Sequence, residues 1–124
     1  MTQSDKDYHH IETDQWGTKR WFLQYRFHRI DGPAIEYSDG TNMWYSNGFL
    51  HRIDGPAIEY SNGTKEWYVN GELHRIDGPA VEGFDGFKAW WLDDCHMDFE
   101  DWKIVVRRYY DTDEDYLLML LKLD

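Results

Sequence analysis

A histidine, an arginine and an aspartate recur together three times in this chain, and such groups can bind metals or transfer protons. They belong to three copies of the sequence His-Arg-Ile-Asp-Gly-Pro-Ala, at residues 28–34, 51–57 and 74–80, with a step of 23 residues. Imidazole and carboxylate groups are common zinc ligands and acid–base catalysts. The polar members of the three copies are His28, Arg29, Asp31, His51, Arg52, Asp54, His74, Arg75 and Asp77.

The spacing of the copies argues against a shared metal or a catalytic site. Equivalent positions in successive hairpins of a sheet are two strands apart, which is about 9–10 Å. Two nitrogen ligands of one zinc ion lie no more than about 4.2 Å apart. We therefore predict that these side chains are structural, and that they hydrogen-bond the loop backbone of their own and the adjacent repeat.

The other reactive residue types form no recognisable site either. His9-His10 is a pair near the N-terminus. Cys95-His96 could supply a nucleophile and a base, but adjacent residues of a strand point to opposite faces, so it does not predict a catalytic pair. The acidic residues at 113–115 indicate the start of a helix rather than a metal site. The sequence lacks a Walker loop, a His-Glu-x-x-His motif and EF-hand spacing. We predict no enzymatic activity, no cofactor and no metal.

Turn residues predict the fold that holds the three copies. Asp-Gly or Asn-Gly pairs between aromatic or β-branched runs indicate type I′ hairpin turns, and they occur at residues 39–40, 62–63 and 85–86. Further Asn-Gly pairs mark the next reversals, at residues 47–48 and 70–71. The strands are predicted near residues 10–15, 18–24, 34–38, 41–46, 57–61, 64–69, 80–84 and 87–92.

The predicted fold class is mainly β, in a single domain over residues 1–124. Residues 11–92 form an antiparallel meander of about four 23-residue β-hairpin repeats, of which the first is a divergent capping copy. An N-terminal tail at residues 1–10 precedes them, and its first seven residues are expected to be frayed.

Residues 93–124 are predicted to form an α-helical cap of two helices. Apolar residues between Phe99 and Tyr109 recur every three to four positions, with acids at the start and arginines at the end. Thr112 is the expected N-cap of a second helix that runs to Lys122. Four leucines face nearly all round this helix, so it should pack on the sheet or on another chain.

Two aromatic columns run along the repeats and point to opposite faces of the sheet. The first contains Trp21, Trp44, Trp67 and Trp90, and the second contains Phe22, Tyr45, Tyr68 and Trp91. Either the helices or the curl of the sheet cover both faces, or one column forms an exposed stripe that binds a partner. The candidate partner-binding residues combine these columns, the positions that vary between repeats and the acids of the cap: Trp44, Tyr45, Trp67, Tyr68, Trp91, Met43, Glu66, Phe49, Glu72, Asp98, Glu100 and Asp101.

The charge and the cysteine content restrict partners and compartment. Acids outnumber bases by 24 to 13, and the resulting charge of −11 disfavours direct binding to nucleic acid or to an anionic membrane. A basic protein is the expected partner. The single cysteine cannot form an intrachain disulfide, and the N-terminus has no signal-peptide pattern, so we expect a cytoplasmic protein.

The repeats resemble the MORN-repeat family, in its bacterial and phage variant. The pattern of a tryptophan, Asn-Gly, a histidine, a glycine and an aromatic strand is met by Trp67, Asn70-Gly71, His74, Gly78 and Tyr60. The resemblance covers residues 11–92 and implies a hairpin array that acts as an interaction module; some bacterial members are antitoxins. This chain has Asp-Gly-Pro-Ala where the eukaryotic pattern has Gly-x-Gly, and this departure weakens the transfer of a lipid-binding role to it.

Two functional hypotheses follow. The first is a non-enzymatic protein-binding module, a phage or bacterial inhibitor of a toxin or host defence factor, whose acidic, aromatic surface could mimic nucleic acid. The second is a small-ligand-binding protein or sponge with an aromatic pocket between sheet and helices. The apolar last helix or an uncovered edge strand would also allow two copies to associate.

Overall fold

The protein is an antiparallel β-meander followed by two α-helices, as predicted. A computed structural model describes residues 9–123, so the predicted frayed segment at residues 1–7 lies outside the described part of the chain. The strands are β1 His9–Thr13, β2 Lys19–Leu23, β3 Arg26–Phe27, β4 Ile35–Glu36, β5 Asn42–Met43, β6 Tyr45–Ser46, β7 Phe49–Leu50, β8 Ile58–Glu59, β9 Lys65–Glu66, β10 Tyr68–Val69, β11 Glu72–Leu73, β12 Val81–Glu82, β13 Lys88–Leu92 and β14 Cys95–Met97. The helices are α1 Phe99–Val106, a 3₁₀ helix Arg107–Tyr109 and α2 Asp113–Leu121.

The strands form one long sheet and two small ladders. The long sheet has the order β1-β2-β4-β5-β8-β9-β12-β13-β14, with β3 paired to β2, and every pair is antiparallel. The pairs β6-β7 and β10-β11 stand apart as two-stranded ladders. No helix in the described part of the chain is long and apolar enough to cross a membrane.

The predicted strands at residues 41–46 and 64–69 are each interrupted at a tryptophan. The Trp44 N–H donates to the Ala57 carbonyl at 2.7 Å, and the Trp44 carbonyl accepts from the His51 N–H at 3.0 Å. Trp67 makes the same pair of bonds to Ala80 and His74. Each tryptophan is thus bonded to the loop that follows rather than to a neighbouring strand, which ends β5 and β9.

The backbone angles of a type I′ turn occur at residues 47–48 and 70–71, and the prediction of such turns at residues 39–40, 62–63 and 85–86 is wrong. Asn47 and Gly48 both have positive φ, at 50° and 88°, as a type I′ turn requires. At the Asp-Gly pair only Gly40 has positive φ, and Tyr37 bonds both Gly40 and Thr41 through its backbone. This is a three-residue hairpin loop, a type I turn followed by a left-handed glycine.

The boundaries of tail and cap also differ from the prediction. Strand β1 begins at His9, inside the predicted tail. The meander continues beyond residue 92, because Asp93 and Asp94 adopt φ of 48° and 67° and form a further turn before β14. Helix α1 therefore begins only at Phe99, and it ends at Val106 before the predicted arginine pair. The predicted N-cap Thr112 is confirmed, since its side chain accepts from the Asp115 N–H.

The protein has two kinds of core. In the repeats the buried side chains are mostly small or β-branched. The ends of the His-Arg-Ile-Asp loops and the strands after them contribute Ala34, Ile35, Ala57, Ile58 and Ala80, and Thr18, Thr41 and Ala89 are buried as well. In the cap, Trp102, Val106 and Met119 pack on Leu92 of β13. The cap thus closes the last repeat with the bulkier core.

Candidate functional site

The three His-Arg-Ile-Asp-Gly-Pro-Ala stretches are loops, here called the first loop (residues 28–34), second loop (residues 51–57) and third loop (residues 74–80). Each loop is closed by one tryptophan, because the backbone of that residue bonds both loop ends. The Trp21 N–H donates to the Ala34 carbonyl, and the Trp21 carbonyl accepts from the His28 N–H. Trp44 and Trp67 bond the ends of the second and third loops in the same way. Three members of the predicted first aromatic column therefore anchor these loops, and the fourth, Trp90, packs on Phe99 and Trp102 of the cap.

The loop arginine lies flat on the anchoring tryptophan. The guanidinium carbon of Arg52 is 3.8 Å from the Trp44 ring centroid, and the first and third loops have 3.9 Å and 3.7 Å. A cation above an indole face is attracted by the ring quadrupole. A Cβ placed on Gly55 would lie 2.8 Å from the Arg52 guanidinium carbon, so the glycine leaves room for the other face of the arginine.

The arginine donors are used within the repeat. Arg52 donates through Nε to Asp54 and through Nη1 to the Pro56 carbonyl, and Glu59 lies 3.6 Å away. In the first loop the Arg29 guanidinium, bonded to the neighbouring carboxylate, holds the pKa of Asp31 below its ordinary value. Each arginine thus lies between two carboxylates, and each loop with its following strand keeps an excess of negative charge.

The loop histidines link successive repeats. Nδ1 of His28, His51 and His74 accepts the backbone N–H of Asn47, Asn70 and Asp93, each at 3.0 Å. These donors are the first residues of the turns in the next repeat. The predicted hydrogen bonds to the own and the adjacent repeat are therefore present, from arginine and histidine respectively. Among residues 9–123, no three His, Cys, Asp or Glu side chains lie close enough together to hold a metal ion.

The rings of the second aromatic column contact side chains of their own and neighbouring strands. Tyr45 lies against Phe27 at 5.2 Å between ring centroids, and Trp91 lies against His96 at 4.9 Å. The Tyr68 hydroxyl donates to Glu66, and burial together with this carboxylate raises the pKa of Tyr68. These rings are half-buried, and the cap helices pack on the end of the columns at Trp90.

The remaining candidate residues lie in three separate places. Met43 is half-buried in the long sheet, opposite Ile35 and Ile58. Phe49 and Glu72 are exposed in the ladders beyond the tryptophans. The acids of the cap lie at the start of α1, where Asp98 is the N-cap and accepts from the Asp101 N–H, Glu100 pairs with Lys103, and the side chain of Asp101 is exposed. The structure does not bring all the candidates to one site.

The isoleucines of the first two loops form an exposed surface that the sequence analysis did not identify. Ile30 and Ile53 are 89% and 80% exposed, whereas Ile76 packs against the core of the cap. The cap also buries Gly78 and Pro79, whose counterparts in the first two loops are half-buried. The signal available in the sequence was an apolar residue repeated without change between an arginine and an aspartate.

Clefts separate successive loops. A cleft of about 640 Å³ lies between the first and second loops and includes Ile30 and Ile53 in its lining. A second cleft, of about 770 Å³, lies between the second and third loops, and Tyr109 and Tyr110 of the cap form part of its wall. The candidate functional surface is this row of two exposed loops with their clefts. Comparisons with protein-family models, curated proteins and solved structures find no match for this chain.

Proposed function

We propose that this chain is a non-enzymatic protein-binding repeat module whose partner is a basic protein. The observation that carries the proposal is the row of exposed isoleucines, Ile30 and Ile53, each followed by an exposed aspartate, Asp31 and Asp54. Apolar side chains that are exposed at a fixed spacing and rimmed by charge are typical of protein-interaction surfaces.

The resemblance to bacterial and phage MORN-type repeats supports a more specific role. Under this proposal the chain belongs to that variant family and inhibits a toxin or a host defence factor in the cytoplasm. The net charge of −11 favours a basic target and would speed the encounter by electrostatic attraction. A target that itself binds nucleic acid would be inhibited by mimicry of the nucleic acid.

The small-ligand alternative has less support. A ligand pocket would need free donors converging on an apolar cavity. The loop arginines line the clefts, and each of them already bonds an aspartate and a backbone carbonyl.

The proposal is tested by capture from nuclease-treated bacterial lysate on immobilised protein, over a series of salt concentrations. We expect a basic protein that also binds the purified chain in a defined stoichiometry and is released at moderate salt. Retention that disappears after nuclease treatment would contradict direct protein binding. Release of a small molecule from heated protein, with no protein captured, would favour the ligand-binding alternative.

A matched pair of variants separates local contact from overall charge. Asp31→Asn with Asp54→Asn removes two charges from the loop rim. Asp39→Asn with Asp85→Asn removes two charges from the Asp-Gly turns, where Asn62 occupies the equivalent position in another repeat. Capture should weaken more with the first pair than with the second. Equal weakening would place the contact outside the loops.

A further inference from the structure

The third loop already binds an aromatic helical segment, and the first and second loops have the same sequence without such a cover. Trp102 of α1 donates its indole N–H to the Arg75 carbonyl at 3.2 Å. The Tyr110 hydroxyl, beyond α1, donates to the Ile76 carbonyl at 2.7 Å. Two adjacent carbonyls of the third loop are thus bonded by aromatic donors of the cap.

The cap also covers the side chains of this loop. Tyr109 meets the His74 ring edge to face, with 5.2 Å between ring centroids. Ile76 packs against the core of the cap, in contact with the cluster that contains Trp102. Aromatic residues with a polar donor combine large apolar contact with a directed hydrogen bond, which suits them to this mixed surface.

The second loop offers the same groups in an open state. Ile53 is 80% exposed, and the carbonyls of Arg52 and Ile53 accept no hydrogen bond from any residue between 9 and 123. The first loop repeats this arrangement with Ile30. Since the loop sequences are identical and each loop is closed by its own tryptophan, the three loops present the same backbone and the same apolar side chain.

We propose that the first and second loops bind an α-helical segment of a partner protein, one that carries Trp or Tyr donors and basic flanking residues. This inference rests on the proposed protein-binding function and names the partner's recognition element. The segment would contact Ile30 and Ile53 and donate to the loop carbonyls, as Trp102 and Tyr110 do in the third loop.

The position of the cap supports a helix as the occupant. Tyr109 and Tyr110 form part of the wall of the cleft between the second and third loops. A helix in this cleft would therefore lie beside the cap and continue an interface that the chain already makes. The cleft between the first and second loops, about 640 Å³ in volume, extends the same surface by one repeat.

The negative charge of the loops favours basic residues beside the aromatic anchors of such a helix. Arg52 lies between Asp54 and Glu59, and Arg29 lies between Asp31 and Glu36, so each site has two carboxylates for one cation. The aspartates are largely exposed at the rim of the clefts. Lysine or arginine beside the aromatic anchors would complement this rim, with exposed pairs adding specificity more than affinity.

The test is selection of peptides on the full-length chain, followed by measurement of their affinities by fluorescence anisotropy. The probe is a displayed library of helix-forming peptides about five turns long, roughly 18 residues. We expect the selected peptides to carry Trp or Tyr with Lys or Arg. Ile30→Asp with Ile53→Asp should weaken their binding by about tenfold or more, since a hot-spot contact would be lost.

Matched variants separate this contact from changes in charge or folding. Ile104→Asp is compared with the single variant Ile53→Asp, because it places the same change at another isoleucine, 74% exposed on α1, and it should leave the affinity within about twofold of the parent. Ile30→Ala with Ile53→Ala removes the apolar side chains without adding charge and should also weaken binding. Because these isoleucines are exposed, the circular dichroism spectrum and melting temperature should remain those of the parent.

Each contrary result has a distinct meaning. Peptides that bind equally well to the Ile30 and Ile53 variants would overturn the site and leave the protein-binding function standing. A self-associating chain that becomes monomeric in these variants would make a second copy the occupant and overturn the proposed partner. Selection of no peptide while lysate capture succeeds would overturn the helical element, and failure of both experiments would overturn the proposed function as well.

Discussion

The second and third loops have the same seven residues but different surroundings. Inside both, a tryptophan bonds the two loop ends and an arginine stacks on its ring, so the conformation is determined within the repeat. Outside, the second loop meets open clefts, whereas the third meets Trp102 and the tyrosines of the cap. The exposure of each loop therefore depends on what packs against it, whereas its conformation is determined by residues of its own repeat.

This difference separates structural residues from residues free to bind. Histidine, arginine and glycine have equivalent contacts in all three loops, so they maintain the fold. The isoleucine has such contacts only in the third loop. An isoleucine that is needed for packing would be packed in every loop, whereas Ile30 and Ile53 are exposed.

Adding a methyl group to the loop glycine should give the largest effect. We expect Gly55→Ala to destabilise the protein by about 1–3 kcal/mol, because the new Cβ would displace Arg52 from Trp44, its aspartate and its carbonyl acceptor. Gly78→Ala should be more damaging, since the cap limits the movement of Arg75 and Glu82 also bonds it. Urea unfolding at neutral pH measures both.

The arginine itself provides the control for this prediction. In an Arg52→Ala background, Gly55→Ala should change the free energy of unfolding by less than about 0.5 kcal/mol, because the atom it would displace is absent. An unchanged penalty in that background would show that the glycine is needed for another reason.

The sequence was sufficient to predict the repeats as far as β13, whereas the last turn, Asp93-Asp94, contains no glycine and was missed. Glycine after asparagine or aspartate marks a reversal whatever its type, and acids, threonine and apolar periodicity identified both helices. The turn type was mispredicted because the dipeptide does not reveal whether the loop has two or three residues; Tyr37 closes a three-residue loop by bonding Thr41. The sequence also did not reveal that the Trp44 backbone bonds the following loop instead of a neighbouring strand, since strand propensity does not specify which neighbour a residue bonds.

The candidate surface was harder to predict for a related reason. The tryptophans were identified as aromatic, but their stacking on Arg29, Arg52 and Arg75 depends on a loop conformation that spacing alone does not determine. Coverage by the cap is a tertiary contact between the third loop and residues about 27 to 34 positions away, beyond the range of local patterns.

The second largest effect on stability is expected at the loop isoleucines. Ile76→Ala should lower the free energy of unfolding by about 1–2 kcal/mol, because it leaves a space against the cap core, and Ile53→Ala should change it by less than about 0.5 kcal/mol. The identical substitution in identical sequence makes each variant the control for the other. Equal losses in urea unfolding would show that Ile53 is packed in solution, and would remove the basis for a free docking surface.

The smallest effect concerns the histidine link, which all three loops share whether covered or not. Burial of the imidazole, and secondarily the nearby His9, lowers the pKa of His28 from its ordinary 6.5. Nδ1 accepts the Asn47 N–H, which requires an unprotonated nitrogen. Below pH 6.5 the unfolded chain therefore binds a proton that the folded chain does not, and the stabilisation present above that pH is lost as the pH falls.

The comparison of the parent with His28→Asn isolates this contribution. Asparagine places an amide oxygen near the position of Nδ1, so it preserves an acceptor for Asn47 without titrating in this range. Between pH 7.5 and 5.5, urea unfolding should show a larger loss of stability in the parent than in the variant, with the other histidines common to both. Parallel pH profiles would mean that His28 takes up its proton equally well in the folded and unfolded chain, and that the link between the first loop and the next repeat does not depend on its protonation.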